Sequence, residues 1–302
     1  MVDMGTNSTR LLVADVVDGR VEEIERRSTV TRLGRGVDTT RQLATEAIDD
    51  VGNAVGEYIE LYEPLEPDAL VVLATSAVRD AENSSAFIAE LRERFALNAR
   101  ILTGDEEARL TYLGAVAGRP SADGTLVVDI GGGSTEIVVG SGHDMNFHTS
   151  LQVGTVRHTE RHIRHDPPTG PELETLAEDV RKQIFAELAA AEFFDIASGI
   201  AVAGTPTSLA AIEQELDPYD AEKVHGYVLT LDGIQRMYSM LSGKTLEERL
   251  EVKGLHPGRA PTIVAGVVIL IQVMRAFGLQ RIEVSEHDIL HGAALDAAQA
   301  SP

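Results

Sequence analysis

Val128-Asp129-Ile130-Gly131-Gly132-Gly133-Ser134-Thr135-Glu136 decides the reading of this chain, because the sequence opens on a second version of the same pattern, Asp3-Met4-Gly5-Thr6-Asn7-Ser8-Thr9. Asp, Gly, Ser and Thr fall at identical offsets in the two, and apolar residues flank both. A carboxylate at a strand end, followed by a glycine-rich turn, sets a metal ligand beside backbone N–H groups that suit phosphate oxygens. One such turn alone could be a tight hairpin whose glycines supply positive φ. The duplicate favours two related domains, one cradle each, facing each other across a cleft.

Outward from the first copy, Thr9 to Val17 and Val21 to Thr31 are β-rich runs joined by Asp18-Gly19, a strong hairpin signal. Leu43, Ala47, Val51, Val55 and Tyr58 keep helical spacing, Leu70 to Thr75 is a buried-strand run, and Phe87, Leu91 and Phe95 mark a helix capped near Asn83 or Ser84. A strand near Arg100 to Leu102 precedes a helix over Gly104 to Val116. Gly118 to Gly124 is the linker candidate, which sets domains at 1–118 and 119–302. The order then repeats: strand (Thr125 to Asp129), glycine turn, return strand (Glu136 to Val139), helices around Val156 to Ile163 and Pro171 to Ala191, and a strand from Ile200 to Ala203 ending in Gly204-Thr205. Leu231 to Leu241, Ala260 to Phe277 and Asp288 to Ala298 are expected helices, with a strand at Arg281 to Val284. Only Met1 and Val2 precede Asp3, so either the first strand is a stub or the true start lies upstream.

The 302 residues suffice for two full cores, and 43% hydrophobic with 25% charged residues is ordinary for a soluble protein. With no cysteine there is no thiolate nucleophile, disulfide framework or Cys-bound zinc. The longest apolar stretch, Ile263 to Val273, is too short to span a bilayer and no signal peptide is visible, so the cytoplasm is the expected location. A net charge of −22 argues against nucleic-acid or membrane-surface binding. It also means that a polyanionic substrate needs local arginines and metal ions to reverse the field.

Further blocks appear in order: Arg32 to Val37, Ala74 to Ala81, Gly104-Asp105-Glu106-Glu107-Ala108-Arg109, Gly154-Thr155-Val156-Arg157 with Thr159-Glu160, Gly204-Thr205, and His256 to Ala260. With Asp3 to Arg10 and Val128 to Glu136, they resemble the exopolyphosphatase/guanosine pentaphosphate phosphohydrolase family, short form, within the sugar kinase–actin–heat-shock chaperone superfamily. The resemblance covers nearly the whole chain. It implies an α/β protein of two actin-like (ribonuclease H-like) domains with an interdomain cleft. It implies hydrolysis of the terminal phosphoanhydride of inorganic polyphosphate or guanosine pentaphosphate with Mg²⁺ (or Mn²⁺), and homodimerisation. The family's general-base glutamate carries onto Glu107, and its acidic pair onto Asp129 and Glu136.

The residues are suited to those roles. Backbone N–H groups of Gly5, Thr6, Asn7 and Ser8, and of Gly131, Gly132, Gly133 and Ser134, would bind successive phosphates, while Asp3, Asp129 and Glu136 are candidate metal ligands. Glu107 lies in a first helical turn, so capping is its alternative role, as for Asp105 and Glu106. Arg79, expected on a loop, is a candidate phosphate ligand or else an ordinary ion-pairing arginine; Arg32, Arg157 and Arg259 are of the same kind. Gly204 and Thr205 match the superfamily's nucleotide-contacting position, and in a polyphosphatase would touch the phosphate chain or nothing. Ser285 to Gly292 lacks the arginine of the family's Leu-Arg-Glu-Gly, which puts a long-chain contact in doubt. Gly243-Lys244-Thr245 fails as a P-loop because Tyr238 stands where the loop's first glycine belongs. His158, His162 and His165 are expected on a solvated helix face rather than around zinc. Two other classes fit this fold: an ATP-dependent kinase of sugars or acetate, and a non-catalytic polyphosphate or nucleotide sensor.

Overall fold

The first strand is short but firmly paired. In the computed structural model, which describes residues 1–120, 122–188 and 195–300, β1 (Val2–Met4) runs antiparallel to β2 (Thr9–Val17) and parallel to β4 (Val72–Ala74). β2 turns into β3 (Arg20–Thr29) through Asp18 (φ 50) and Gly19 (φ 73), both left-handed as a two-residue hairpin turn of this hand demands. β5 (Ala99–Ile101) adds parallel to β4, which gives the order β3-β2-β1-β4-β5.

Around this sheet lie α1 (Val37–Thr40), α2 (Thr45–Tyr62) with a 3-10 turn at Glu63–Leu65, α3 (Ser76–Asp80), α4 (Ser84–Phe95) and α5 (Gly104–Val116). The helically spaced Ala47, Val51, Val55 and Tyr58 are all buried, in one core with Phe87 and Leu91 of α4. The Tyr58 hydroxyl donates to the Thr9 carbonyl (2.7 Å), so the buried ring carries no unsatisfied polar tip. Asn83 does precede α4, but its amide spans to the backbone of Leu43 instead of capping the helix.

The second unit repeats the plan. β6 (Thr125–Ile130), β7 (Thr135–Ser141) and β8 (Asp144–Leu151) form an antiparallel meander, and β9 (Ser198–Val202) and β11 (Arg281–Val284) continue from β6 in parallel. β10 (Val228–Thr230) closes the far edge antiparallel to β11. The order β8-β7-β6-β9-β11 is thus the first sheet's order over again, with β10 added. The helices are α6 (Thr155–His162), α7 (Gly170–Leu188), α8 (Gly204–Glu213), α9 (Ala221–Val224), α10 (Leu231–Ser242), α11 (Leu246–Leu250) and α12 (Ile263–Ala276). The apolar run at Ile263 is α12, buried almost all round, and no described helix is long and apolar enough to cross a membrane. The expected end of α7 at Ala191, and Ser121 in the expected linker, lie outside the described residues.

The units are Met1–Arg119 with Ile289–Pro302, and Pro120–Asp288. The last helix, α13 (Ile289–Ala300), is part of the first unit. It packs on α5 so closely that a Cβ at Gly292 would lie 1.8 Å from the Leu110 carbonyl oxygen.

Candidate active site

Both glycine turns close with the same bond. The Gly5 N–H donates to the Ser8 carbonyl at 3.0 Å, and the Gly131 N–H to the Ser134 carbonyl at 3.0 Å. None of Gly5, Gly131, Gly132 and Gly133 has a left-handed φ. Close approach is what calls for glycine: a Cβ at Gly5 or Gly131 would lie 3.0 or 3.1 Å from the serine carbonyl that it faces.

Each loop is held from behind by its carbonyls. In the first unit the Thr6 carbonyl accepts from Gly34 N–H (2.7 Å) and the Asn7 carbonyl from Arg32 N–H (3.0 Å). In the second, Gly131 accepts from Thr155 N–H (3.0 Å), Gly132 from Val156 N–H (2.9 Å), and Gly133 from Arg157 Nε (2.7 Å). A planar trans peptide points its N–H opposite to its C=O. The N–H groups of Asn7 and Ser8, and of Gly132, Gly133 and Ser134, therefore aim away from these tethers, an arrangement that binds anions. In the first unit, Asn7 Nδ2, Ser8 Oγ, Ser76 Oγ and Arg79 Nη2 are buried with no hydrogen-bond partner among the described residues. All four follow the ends of β1 and β4, and as donors they suit the oxygens of an anion.

The carboxylates differ between the repeats. Asp129 and Glu136 face each other across β6 and β7, both buried, and Ser150 on β8 donates to Glu136 Oε1 at 2.7 Å. The residue opposite Asp3 is Arg10, which gives Asp3 Oδ2 both Nη2 (2.6 Å) and Nε (3.0 Å). Arg10 and Ser150 carried no assigned role in the sequence; the signal for Arg10 was its position, the same seven-residue step that leads from Asp129 to Glu136.

Glu106 and Glu107 have separate environments. Thr103 and Glu106 form a capping box: Glu106 Oε2 accepts from Thr103 N–H (2.8 Å) and Thr103 Oγ1 from Glu106 N–H (3.2 Å). Glu107 is buried instead, and Oε2 accepts from Arg79 Nη1 at 2.9 Å. Arg79 also donates to the Leu102 carbonyl (2.8 Å); it sits in the short helix α3, not on a loop as expected. Gly204 and Thr205 begin α8. A Cβ at Gly204 would lie 2.4 Å from the Arg259 guanidinium carbon, and Thr205 is buried with Oγ1 2.3 Å from where a Cβ at Gly266 would stand. Arg157 is buried behind the second loop rather than open to a ligand.

The expected solvated histidine face is not solvated. His158 is fully buried, and His158 and His162 both turn Nε2 towards Asp179 Oδ2 on α7, at 3.4 and 3.0 Å. Only His165 is exposed, paired with Glu172. Gly154 N–H donates to His158 Nδ1, which puts the neutral ring's own proton on Nε2, on the side of the Asp179 carboxylate. Burial, with neighbouring His162, Arg161 and Arg157, pushes the His158 ring down to about 4 against the pull of Asp179.

The chain is thus an α/β protein of two actin-like domains, each with an acidic residue and a glycine-containing turn at its central strand. Residues 12–300 match the Ppx/GppA phosphatase family, and the chain belongs to it. It is 36% identical to Exopolyphosphatase 2 of Mycobacterium tuberculosis, over 98% of this chain and 97% of that one. Among solved structures, the Ppx/GppA family member of Aquifex aeolicus superposes with a TM-score of 0.83 at 30% identity, covering 99% of this chain and 96% of the other. An exopolyphosphatase from Cytophaga hutchinsonii superposes with a TM-score of 0.90 at 25% identity, covering 98% and 97%.

Proposed function

We propose that this protein is an exopolyphosphatase that hydrolyses the terminal phosphoanhydride of inorganic polyphosphate, with Glu107 as general base. Family membership and the exopolyphosphatase relatives support the reaction class. The observation that carries the residue assignment is the split at the start of α5: Glu106 caps the helix, while its neighbour Glu107 is buried and held by Arg79. Phosphoryl transfer asks mainly for alignment and charge neutralisation. The N–H groups of Asn7, Ser8, Gly132, Gly133 and Ser134, with the side chains of Asn7, Ser8, Ser76 and Arg79, are the donors for phosphate oxygens, while the Gly5 and Gly131 N–H groups are spent within their turns. Glu107 takes a proton from water, the water oxygen bonds to the terminal phosphorus, and the bridging P–O bond breaks with its electron pair leaving on the shortened chain.

Asp129 and Glu136 suit a hard divalent cation, Mg²⁺ or Mn²⁺, because two buried carboxylates side by side repel unless one lies between them. When bound, it would neutralise charge on the phosphate oxygens. Asp3 suits direct ligation less well, since Arg10 already occupies Oδ2 twice. Gly204 and Thr205 would meet the chain through backbone N–H groups, because the Thr205 side chain is packed away.

The test is phosphate release by the wild type and Glu107→Gln, with Mg²⁺, on polyphosphate of graded length and on guanosine pentaphosphate. Removing the base is expected to lower kcat by about 10²–10⁴-fold. Equal rates for the two proteins overturn the base assignment, and faster release from guanosine pentaphosphate overturns the choice of substrate.

A further inference from the structure

Both loops are tethered through their carbonyls, but the donors differ in kind at one equivalent pair. Asn7 and Gly133 occupy equivalent places in the repeat, and each presents its carbonyl to a donor behind the loop. For Asn7 that donor is a backbone N–H, from Arg32, which no substitution except proline removes. For Gly133 it is a side chain, Arg157 Nε at 2.7 Å. Gly133 C=O and Ser134 N–H belong to one rigid peptide plane. Whatever fixes the carbonyl therefore fixes the direction of the N–H on its other side.

We propose that Arg157 is a positioning residue for the second phosphate loop: it orients the Gly133–Ser134 peptide from behind so that the Ser134 N–H faces the substrate. The inference rests on the exopolyphosphatase reading for what the loop binds, but not for the tether itself. Arg157 is buried, and it is the third residue of α6, the helix whose first N–H groups hold Gly131 and Gly132. Helix and side chain together fix three consecutive peptides. Arg157 is thereby separated from Arg79, whose guanidinium ends at unmade donors in the first unit. The one acts through the loop; the other is available to phosphate.

The experiment compares wild type, Arg157→Met and Arg157→Lys. Amide exchange by NMR reports the tether without any need for turnover. The Gly131, Thr155 and Val156 amides, which donate within and behind the loop, are expected to exchange about tenfold or more faster in Arg157→Met, with β6 amides unchanged. Phosphate release from polyphosphate is expected to lose about 10²-fold in kcat, with KM nearly unmoved, as for loss of a transition-state donor. Lysine, which keeps the charge but not a planar Nε–H, should recover only part. Should Arg157→Met fail to fold, Arg157→Lys carries the same comparison. Unchanged exchange at the three amides overturns the proposal, and so does a raised KM with intact kcat, which would mark Arg157 as a substrate contact. A wild type that releases no phosphate from polyphosphate sinks the functional reading, while the exchange comparison still decides the role of Arg157.

Discussion

Gly154→Ala is the sharpest perturbation that the site offers. Gly154 has φ −144 and ψ 158, extended backbone open to any residue, so alanine brings no conformational penalty. What it brings is a Cβ 2.3 Å from the Gly132 carbonyl oxygen and 2.4 Å from the Gly133 carbonyl carbon. Non-bonded carbon contacts are optimal near 3.5–4.0 Å, so the loop has to retreat by at least about 1 Å. The obstructing atoms are backbone, which cannot rotate aside as a side-chain tip can. A misplacement of about 1 Å at a reacting centre costs on the order of 10²-fold, and overpacking costs about 1–3 kcal/mol of stability. The expected result is kcat for polyphosphate down about 100-fold, or about 2.7 kcal/mol of barrier, with the fold intact by circular dichroism. Gly170→Ala is the control, since nothing lies within 4 Å of a Cβ there, and it should match wild type. If Gly154→Ala turns over at the wild-type rate, the second loop does not sit against the transferred phosphate and the reading of the cradle is wrong.

The remaining predictions concern charge. Glu136→Ala removes one of the facing carboxylates and should raise the Mg²⁺ concentration for half-maximal activity by about 10–100-fold; an unchanged Mg²⁺ titration would move the cation elsewhere. Asp3→Asn should instead destabilise the fold by about 1–3 kcal/mol, since the amide oxygen accepts from Arg10 without the carboxylate's charge, read by urea unfolding. His158 has its pKa depressed to about 4, so the unfolded chain, titrating near 6.5, takes up the proton first. Its contribution is whole above pH 6.5 and is lost as pH falls towards 4; by pH 5 about 2 kcal/mol should be gone. His158→Gln should abolish that part of the pH dependence, and an unaltered difference between pH 7 and pH 5 would contradict the burial argument.

Strong local signals were legible in the sequence. Asp18-Gly19 makes the hairpin because both residues must take left-handed φ, and α5 begins at Gly104 because Thr103 and Glu106 cap it. What could not be read is set by contacts distant in sequence. α13 looks like any closing helix, and only its glycine-tight crossing with α5 assigns it to the first unit. β8 is half-exposed and its polar residues mask the alternation, while β10, at three residues, is too short to show one. The histidines of α6 sit among charged residues, which suggested solvent; the acceptor that buries them, Asp179, comes from the next helix. Arg79 was a candidate by motif, but its bond to Glu107 links α3 to α5 and has no local trace.

The divergence of the repeat follows from what each half has to hold. Seven residues after its aspartate, the first copy places Arg10 and the second Glu136, in equivalent cross-strand positions. The first pair is neutral within itself, and Asn7 and Ser8 in the turn after β1, with Ser76 and Arg79 after β4, offer donors suited to an anion. The second pair is doubly acidic, which suits the divalent cation proposed for it. A chain of net charge −22 cannot draw in polyphosphate by its overall field. On the proposed reading, attraction has to be local and short-ranged, from fixed N–H groups, a few guanidinium groups and a cation at Asp129 and Glu136. The proposed function would account for one hairpin carrying arginine and the other glutamate at equivalent positions, although a like turn follows both aspartates.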